Sequence, residues 1–125
     1  MTAGASVSRS RERPSIAVFC SGQGTNLQAI LDAARTGRLR ARVALVISDR
    51  ADARALIRAR RAGVEAHHVD PRCFSGIARF ERALIRLCAS RRVRLVCLAG
   101  FMRILSPLFV RHFRGRILNI HPALL

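Results

Sequence analysis

The stretch SIAVFCSGQGTN, residues 15–26, decides how the rest of the chain is read. SIAVFC (15–20) is a short continuous apolar run, the pattern of a strand covered on both faces. It meets SGQGTN (21–26) with no spacer, and over 26–36 Leu27, Ile30, Leu31 and Ala34 recur at helical spacing. Strand, glycine turn and helix together predict the opening of an α/β domain. Gly22 and Gly24 are expected to take positive φ and to let the backbone approach a ligand closely. The helix behind them would aim free N–H groups and its positive dipole end into the same space. Thr25 and Gln28, three residues apart, also match a capping box. The turn is therefore expected to hold a phosphate monoester, gripped by backbone amides plus Thr25 and Asn26. A dinucleotide fingerprint fails, because Leu27 stands where its third glycine belongs. Asp49, ending the next apolar run, keeps a ribose contact open. A P-loop is excluded in a chain without lysine.

Working outward, VALVIS (43–48) reads as a second strand, and 52–62 as a helix stopped by Gly63. VEAHHV (64–69) is a weaker third strand. Residues 74–90 set Ile77, Phe80, Leu84 and Leu87 along one helical stripe, and VRLVCLAG (93–100) is a fourth strand. Ser106 and Pro107 read as N-cap and first residue of a short helix to about Phe113, and RILNI (116–120) is a fifth strand. This alternation predicts an α/β fold, a Rossmann-like three-layer sandwich with a mostly parallel sheet, cut off after the fifth strand. Ligands of such sheets bind beyond the carboxyl ends of the strands. Three unusual segments fall on that rim: SGQGTN, GFMRIL (100–105) and NIHP (119–122).

The chain has 125 residues, half of them hydrophobic, which suits one domain with a packed core. Residues 1–14 lack the apolar segment of a secretory signal and read as a flexible basic tail, so the expected location is cytoplasmic. No apolar run is long enough to span a membrane. All 23 basic residues are arginine and the formal net charge is +16. Absence of lysine fits codon bias in a GC-rich genome, and Arg54, Arg58 and Arg61 read as one solvated helix face. The excess charge still attracts anionic ligands. Nucleic acid is not the expected partner, because there is no Tyr or Trp on which bases could stack. Cys20, Cys73, Cys88 and Cys97 show no C-x-x-C pair and read as free thiols, with no metal site.

Asn119 and His121, two apart on a strand end, project to one face. An amide can donate to a developing oxyanion, and an imidazole can carry a proton near neutral pH. The pair suits acyl or formyl transfer to an amine. His67, His68 and His112 have no polar partner at useful spacing and read as structural. A Cys20–His121 nucleophilic pair is not favoured, since nothing activates Cys20 beyond its nearness to a helix start.

IAVFCSGQGTNLQAILDA (16–33), LAGFMRILSPLFV (98–110) and ILNIHPALL (117–125) resemble the phosphoribosylglycinamide formyltransferase (GAR transformylase) family. The likeness runs from about Ser15 to the last residue and corresponds to the family's N-terminal part, so 15–125 is expected to be one nucleotide-binding unit. The resemblance implies formyl transfer from 10-formyltetrahydrofolate to the amine of 5-phosphoribosylglycinamide, in de novo purine (IMP) biosynthesis. It implies that Gly24, Thr25 and Asn26 bind the substrate phosphate and that Ile120 lies near the substrate. It implies a folate pocket of Met102, Arg103, Ile104 and Leu105 with Asn119, catalysis by Asn119 and His121, and no metal. Two departures stand out. Ile77 occupies the place of a folate-contacting arginine, and the family's catalytic aspartate, which orients the histidine, falls beyond the last residue. The chain alone is therefore expected to be impaired or inactive. Its last strand is expected to leave a sheet edge open to self-association or to a C-terminal partner. The rival expectation is a non-catalytic, arginine-rich module binding a nucleotide or nucleic acid on the same scaffold.

Overall fold

The computed structural model describes residues 13–120. The chain alternates strand and helix: β1 (Ser15–Cys20), α1 (Thr25–Thr36), β2 (Arg42–Ser48), α2 (Arg54–Arg61) and β3 (Ala66–His68). A 3-10 turn (Pro71–Cys73) leads to α3 (Ile77–Ser90), β4 (Val93–Ala99), α4 (Pro107–His112) and β5 (Ile117–Ile120). The strands form one sheet in the order β3-β2-β1-β4-β5, and every pairing is parallel. The expected mostly parallel sheet is thus wholly parallel among the described residues. The anticipated basic tail lies outside those residues except for Arg13 and Pro14.

β1 is buried along its whole length because helices cover both of its faces. Ile16, Val18 and Cys20 face the layer of α1 and α2, where Leu27, Leu31, Ala55 and Leu56 pack. Ala17 and Phe19 face the layer of α3 and α4, where Phe80, Leu84, Phe109 and Phe113 pack. Phe19 is fully buried, with the ring of Phe109 at 5.8 Å and that of Phe101 at 5.5 Å. Burying such a side chain contributes about 1.5–3 kcal/mol.

From β1 the chain first winds outward to β2 and β3, then crosses back to β4 and β5. The direction therefore reverses between β1 and β4, the switch point at which open parallel sheets form a crevice.

One buried polar side chain supports the second layer. Glu81 on α3 is fully buried, and its carboxylate accepts the Ser106 N–H (2.7 Å) and the Ser106 hydroxyl. Ser106 does sit at the N-cap of α4 ahead of Pro107, as its sequence predicts, but its hydroxyl is spent on Glu81 rather than on the helix amides.

Candidate functional site

Two loops meet at the switch point. The Ser21 N–H donates to the Gly100 carbonyl at 3.1 Å, joining the residue after β1 to the residue after β4. The Ser21 hydroxyl accepts the Met102 N–H at 2.8 Å and donates to Asp49 Oδ1 at 2.7 Å. Asp49 Oδ2 accepts Arg103 Nε at 3.0 Å. Ser21, Asp49 and Arg103 thus clasp the ends of β1, β2 and β4 together. The ribose contact anticipated for Asp49 is not available in this arrangement, because both carboxylate oxygens are engaged and the side chain is only 7% exposed.

The loop after β4 is fixed at both ends. Phe101 packs on Phe19, and Leu105 joins the cluster around Phe80 and Phe109. Between these anchors Met102 and Ile104 are 81% and 92% exposed. Of the expected folate-pocket residues, Met102, Arg103 and Ile104 line a cleft of about 990 Å³, whereas Leu105 turns to the core. Ser21, Gly22, His68 and the half-exposed Ile77 also line it, so exposed apolar side chains stand there beside charged and polar ones.

The same cleft carries three arginines and three aspartates, and the charges are matched one to one. Arg103 pairs with Asp49, Arg50 with Asp52 at 3.3 Å, and Arg72 with Asp70 at 2.9 Å. The Arg72 guanidinium and backbone N–H hold the Asp70 carboxyl down at about 2, and Arg50 likewise lowers Asp52. All three carboxylates are thereby committed to guanidinium partners.

The glycine turn differs from its sequence reading. Gly24 has φ +77° and serves as the N-cap of α1, with its carbonyl accepting the Gln28 N–H at 2.8 Å. Thr25 is the first helical residue and makes no capping bond, so the predicted capping box does not form. The Gln28 side chain instead donates to Asp32 Oδ1. Gly22 does not take positive φ. The close approach that Gly24 permits is to α2, since a Cβ there would lie 2.8 Å from Ala55 Cα. Ala55 N–H reaches the Gly22 carbonyl at 3.2 Å, and Arg58 Nε the Gln23 carbonyl at 2.8 Å. Arg58 is therefore part of the turn's scaffold and does not belong to a merely solvated face. No periodicity in the sequence announces this tie, because it joins residues 35 positions apart.

Gly24, Thr25 and Asn26 stand at the start of α1, outside the walls of the cleft itself. Asn119 is exposed on β5 in a register row with Leu98 of β4, which in turn is level with Phe19 of β1. At the usual strand spacing that sets Asn119 about 10 Å from β1 across the carboxyl rim. Ile120 is half-buried beside Ala99. His121 lies outside the described residues.

Burial pushes the Cys20 and Cys88 thiols up to about 12 and raises that of Cys97, so none of the three supplies a thiolate near neutral pH. His67, read as lacking a polar partner, has one: its Nε2 lies 2.6 Å from Glu65 Oε2, two residues earlier on the edge of the sheet. Among the described residues no group of three or more His, Cys, Asp or Glu could hold a metal ion, and no helix is long and apolar enough to cross a membrane.

A family model described as formyl transferase matches residues 14–125. The phosphoribosylglycinamide formyltransferase of Escherichia coli is 48% identical over 110 residues, covering 88% of this chain and 52% of that protein. Human trifunctional purine biosynthetic protein adenosine-3 is 38% identical over 115 residues, covering 92% of this chain and 11% of its own length. Among solved structures, glycinamide ribonucleotide transformylase 1 from Symbiobacterium toebii superposes with a TM-score of 0.85 at 54% identity, over 88% of this chain and 52% of the other. The chain spans about half the length of the bacterial relatives it matches. By sequence and by fold, the chain belongs to the formyl transferase family.

Proposed function

We propose that the chain serves formyl transfer from 10-formyltetrahydrofolate to the amine of 5-phosphoribosylglycinamide, a step of purine biosynthesis. The observation that carries this reading is the hydrogen-bonded joining of two rim loops at the switch point, the one after β1 and the outward Met102–Ile104 bulge after β4. Asn119 lies on the same carboxyl rim, two strands from β1. Relatives 48% and 54% identical to the chain are named as phosphoribosylglycinamide formyltransferase and glycinamide ribonucleotide transformylase.

The roles follow from chemistry. A phosphate monoester at Gly24, Thr25 and Asn26 meets the amino end of a 12-residue helix, whose first N–H groups and dipole favour an anion. Because every cleft arginine already has an aspartate partner, the turn's backbone is the better anion holder. Met102, Arg103 and Ile104 would flank the folate, with Leu105 fixing the bulge from the core side and Asn119 closing the far end. The formyl donor supplies the electrophilic carbon. As the substrate amine adds to it, the carbonyl oxygen gains negative charge, and the Asn119 amide would donate a hydrogen bond to it. His121, two residues on, would take the amine proton and help hold the developing charge. Ile120 would lie beside the substrate. A cytoplasmic setting suits these substrates.

The test is calorimetric titration of phosphoribosylglycinamide into the chain and into Asn26→Ala and Thr25→Ala variants. Saturable binding that each substitution weakens about tenfold, the value of one lost charge-assisted hydrogen bond, is expected. Binding indifferent to both substitutions would remove the turn from the site.

A further inference from the structure

Away from the rim cleft the molecule holds a second concavity that the formyl-transfer reading does not use. It lies between α1 and α2 over the amino end of β2, and encloses about 770 Å³. Its floor is apolar, built from Leu31, Ala34, Val43 and Val64. Five arginines surround it: Arg13, Arg35, Arg42, Arg58 and Arg61. A single carboxylate, Asp32, stands among them, and it accepts a hydrogen bond from Gln28. No ion pair joins any of the five to an acidic side chain among the described residues. Arg42 reaches the Ser15 hydroxyl at 3.1 Å, and Arg58 reaches the Gln23 carbonyl and Gln28.

Five guanidiniums around one carboxylate leave an uncompensated charge of +4 at this groove, whereas the cleft on the strand rim is charge-balanced. Guanidinium groups bind phosphate oxygens in a bidentate fork, and are the side chains best suited to several phosphates in a row. The volume lies within the range of small-ligand sites, and an apolar floor accommodates a flat ring. A free phosphate would satisfy the arginines but not the floor. We propose that the α1–α2 groove is a second ligand site, and that it takes a nucleoside triphosphate, with the phosphate chain on the arginine rim and the base on the apolar floor.

The experiment is calorimetric titration of the full chain at physiological salt with ATP, with inorganic tripolyphosphate and with a short DNA duplex. The ATP titration is repeated on the double variant Arg35→Gln/Arg61→Gln and on a control, Arg94→Gln/Arg111→Gln, whose arginines are exposed and outside the groove. Exposed positions are chosen so that circular dichroism of both variants should match the parent. One ATP per chain is expected, bound more tightly than tripolyphosphate. The groove variant should weaken it by about a hundredfold, roughly tenfold for each lost phosphate contact, and the control should not. Absence of ATP binding, or equal loss in both variants, would overturn the site. Equal affinity for ATP and tripolyphosphate would overturn the nucleoside assignment. Preference for the duplex would overturn it in favour of nucleic acid. None of these readings depends on formyl-transfer activity.

Discussion

The rim cleft and the α1–α2 groove use the same side chain in different ways. In the rim cleft each arginine is matched by an aspartate, and the Ser21–Asp49–Arg103 clasp spends its charge on joining three strand ends. In the α1–α2 groove five arginines face one carboxylate and pair with none. A composition of 23 arginines therefore says little by itself. What decides the chemistry is which guanidiniums are already partnered. In the cleft each is paired with a carboxylate, which leaves backbone amides as the anion donors. In the groove Arg42 and Arg58 hold neutral hydrogen-bond partners, and none of the five has an ion-paired carboxylate among the described residues.

Gly24 packs directly against Ala55 and Arg58 of α2, and changing it should have the largest effect. Gly24→Ala puts a side chain at φ +77° and a Cβ 2.8 Å from Ala55 Cα. The left-handed conformation alone costs ~1–2 kcal/mol, and displacement of α2 adds to it, so a loss of at least about 2 kcal/mol is expected in denaturant unfolding. Gly22→Ala meets no atom within 4 Å, has no positive φ, and should change stability by less than about 0.5 kcal/mol. Equal effects at the two glycines would break the account of the turn.

Committed and uncommitted charge should separate next. Asp49→Ala strands the Ser21 hydroxyl and Arg103 and should cost ~1–3 kcal/mol. Arg35→Gln/Arg61→Gln removes two exposed charges whose structural contribution is to the last turns of α1 and α2, and should cost less than about 1 kcal/mol. A groove variant as destabilising as Asp49→Ala would erase the distinction.

A modest, pH-dependent effect is expected at the edge of the sheet. Arg91 and His67 hold the Glu65 carboxyl at about 2, below its ordinary 4.5. A depressed carboxyl stabilises the fold above its unfolded value and loses that contribution as pH falls through the folded one. Stability should therefore decline between pH 4.5 and about 2, and Glu65→Gln should flatten that part of the curve. The side chain is 41% exposed, so screening holds the effect below about 1 kcal/mol. Alkylation near pH 8 should sharpen the picture of the thiols: Cys73 is exposed and should react first, while Cys20 and Cys88 stay protonated and buried.

The alternation of strand and helix was legible because parallel strands covered on both faces, such as SIAVFC, leave continuous apolar runs, and α1 and α3 keep a helical stripe. The rim segments were legible because glycine, exposed Met102 and Ile104, and Asn119 break those periodicities. The contacts that fix the site were not. Ser21 to Asp49, Arg58 to Gln23 and Glu81 to Ser106 join residues 25 to 35 positions apart, and each depends on which elements become neighbours. The capping box failed for a local reason. Gly24 in the left-handed region became the cap, which moved Thr25 one position into the helix. The partner of His67 was missed although the expected strand 64–69 already held Glu65 two residues before it, a spacing that sets both side chains on one strand face.

The most direct test is a backbone amide NMR titration of the chain with phosphoribosylglycinamide. Chemical-shift changes centred on Gly24, Thr25 and Asn26, and extending across the rim to Asn119 and Ile120, are the predicted result. Changes confined to Arg35, Arg61 and their neighbours in the α1–α2 groove, with the turn and β5 silent, would contradict the assignment of the substrate phosphate to the glycine turn.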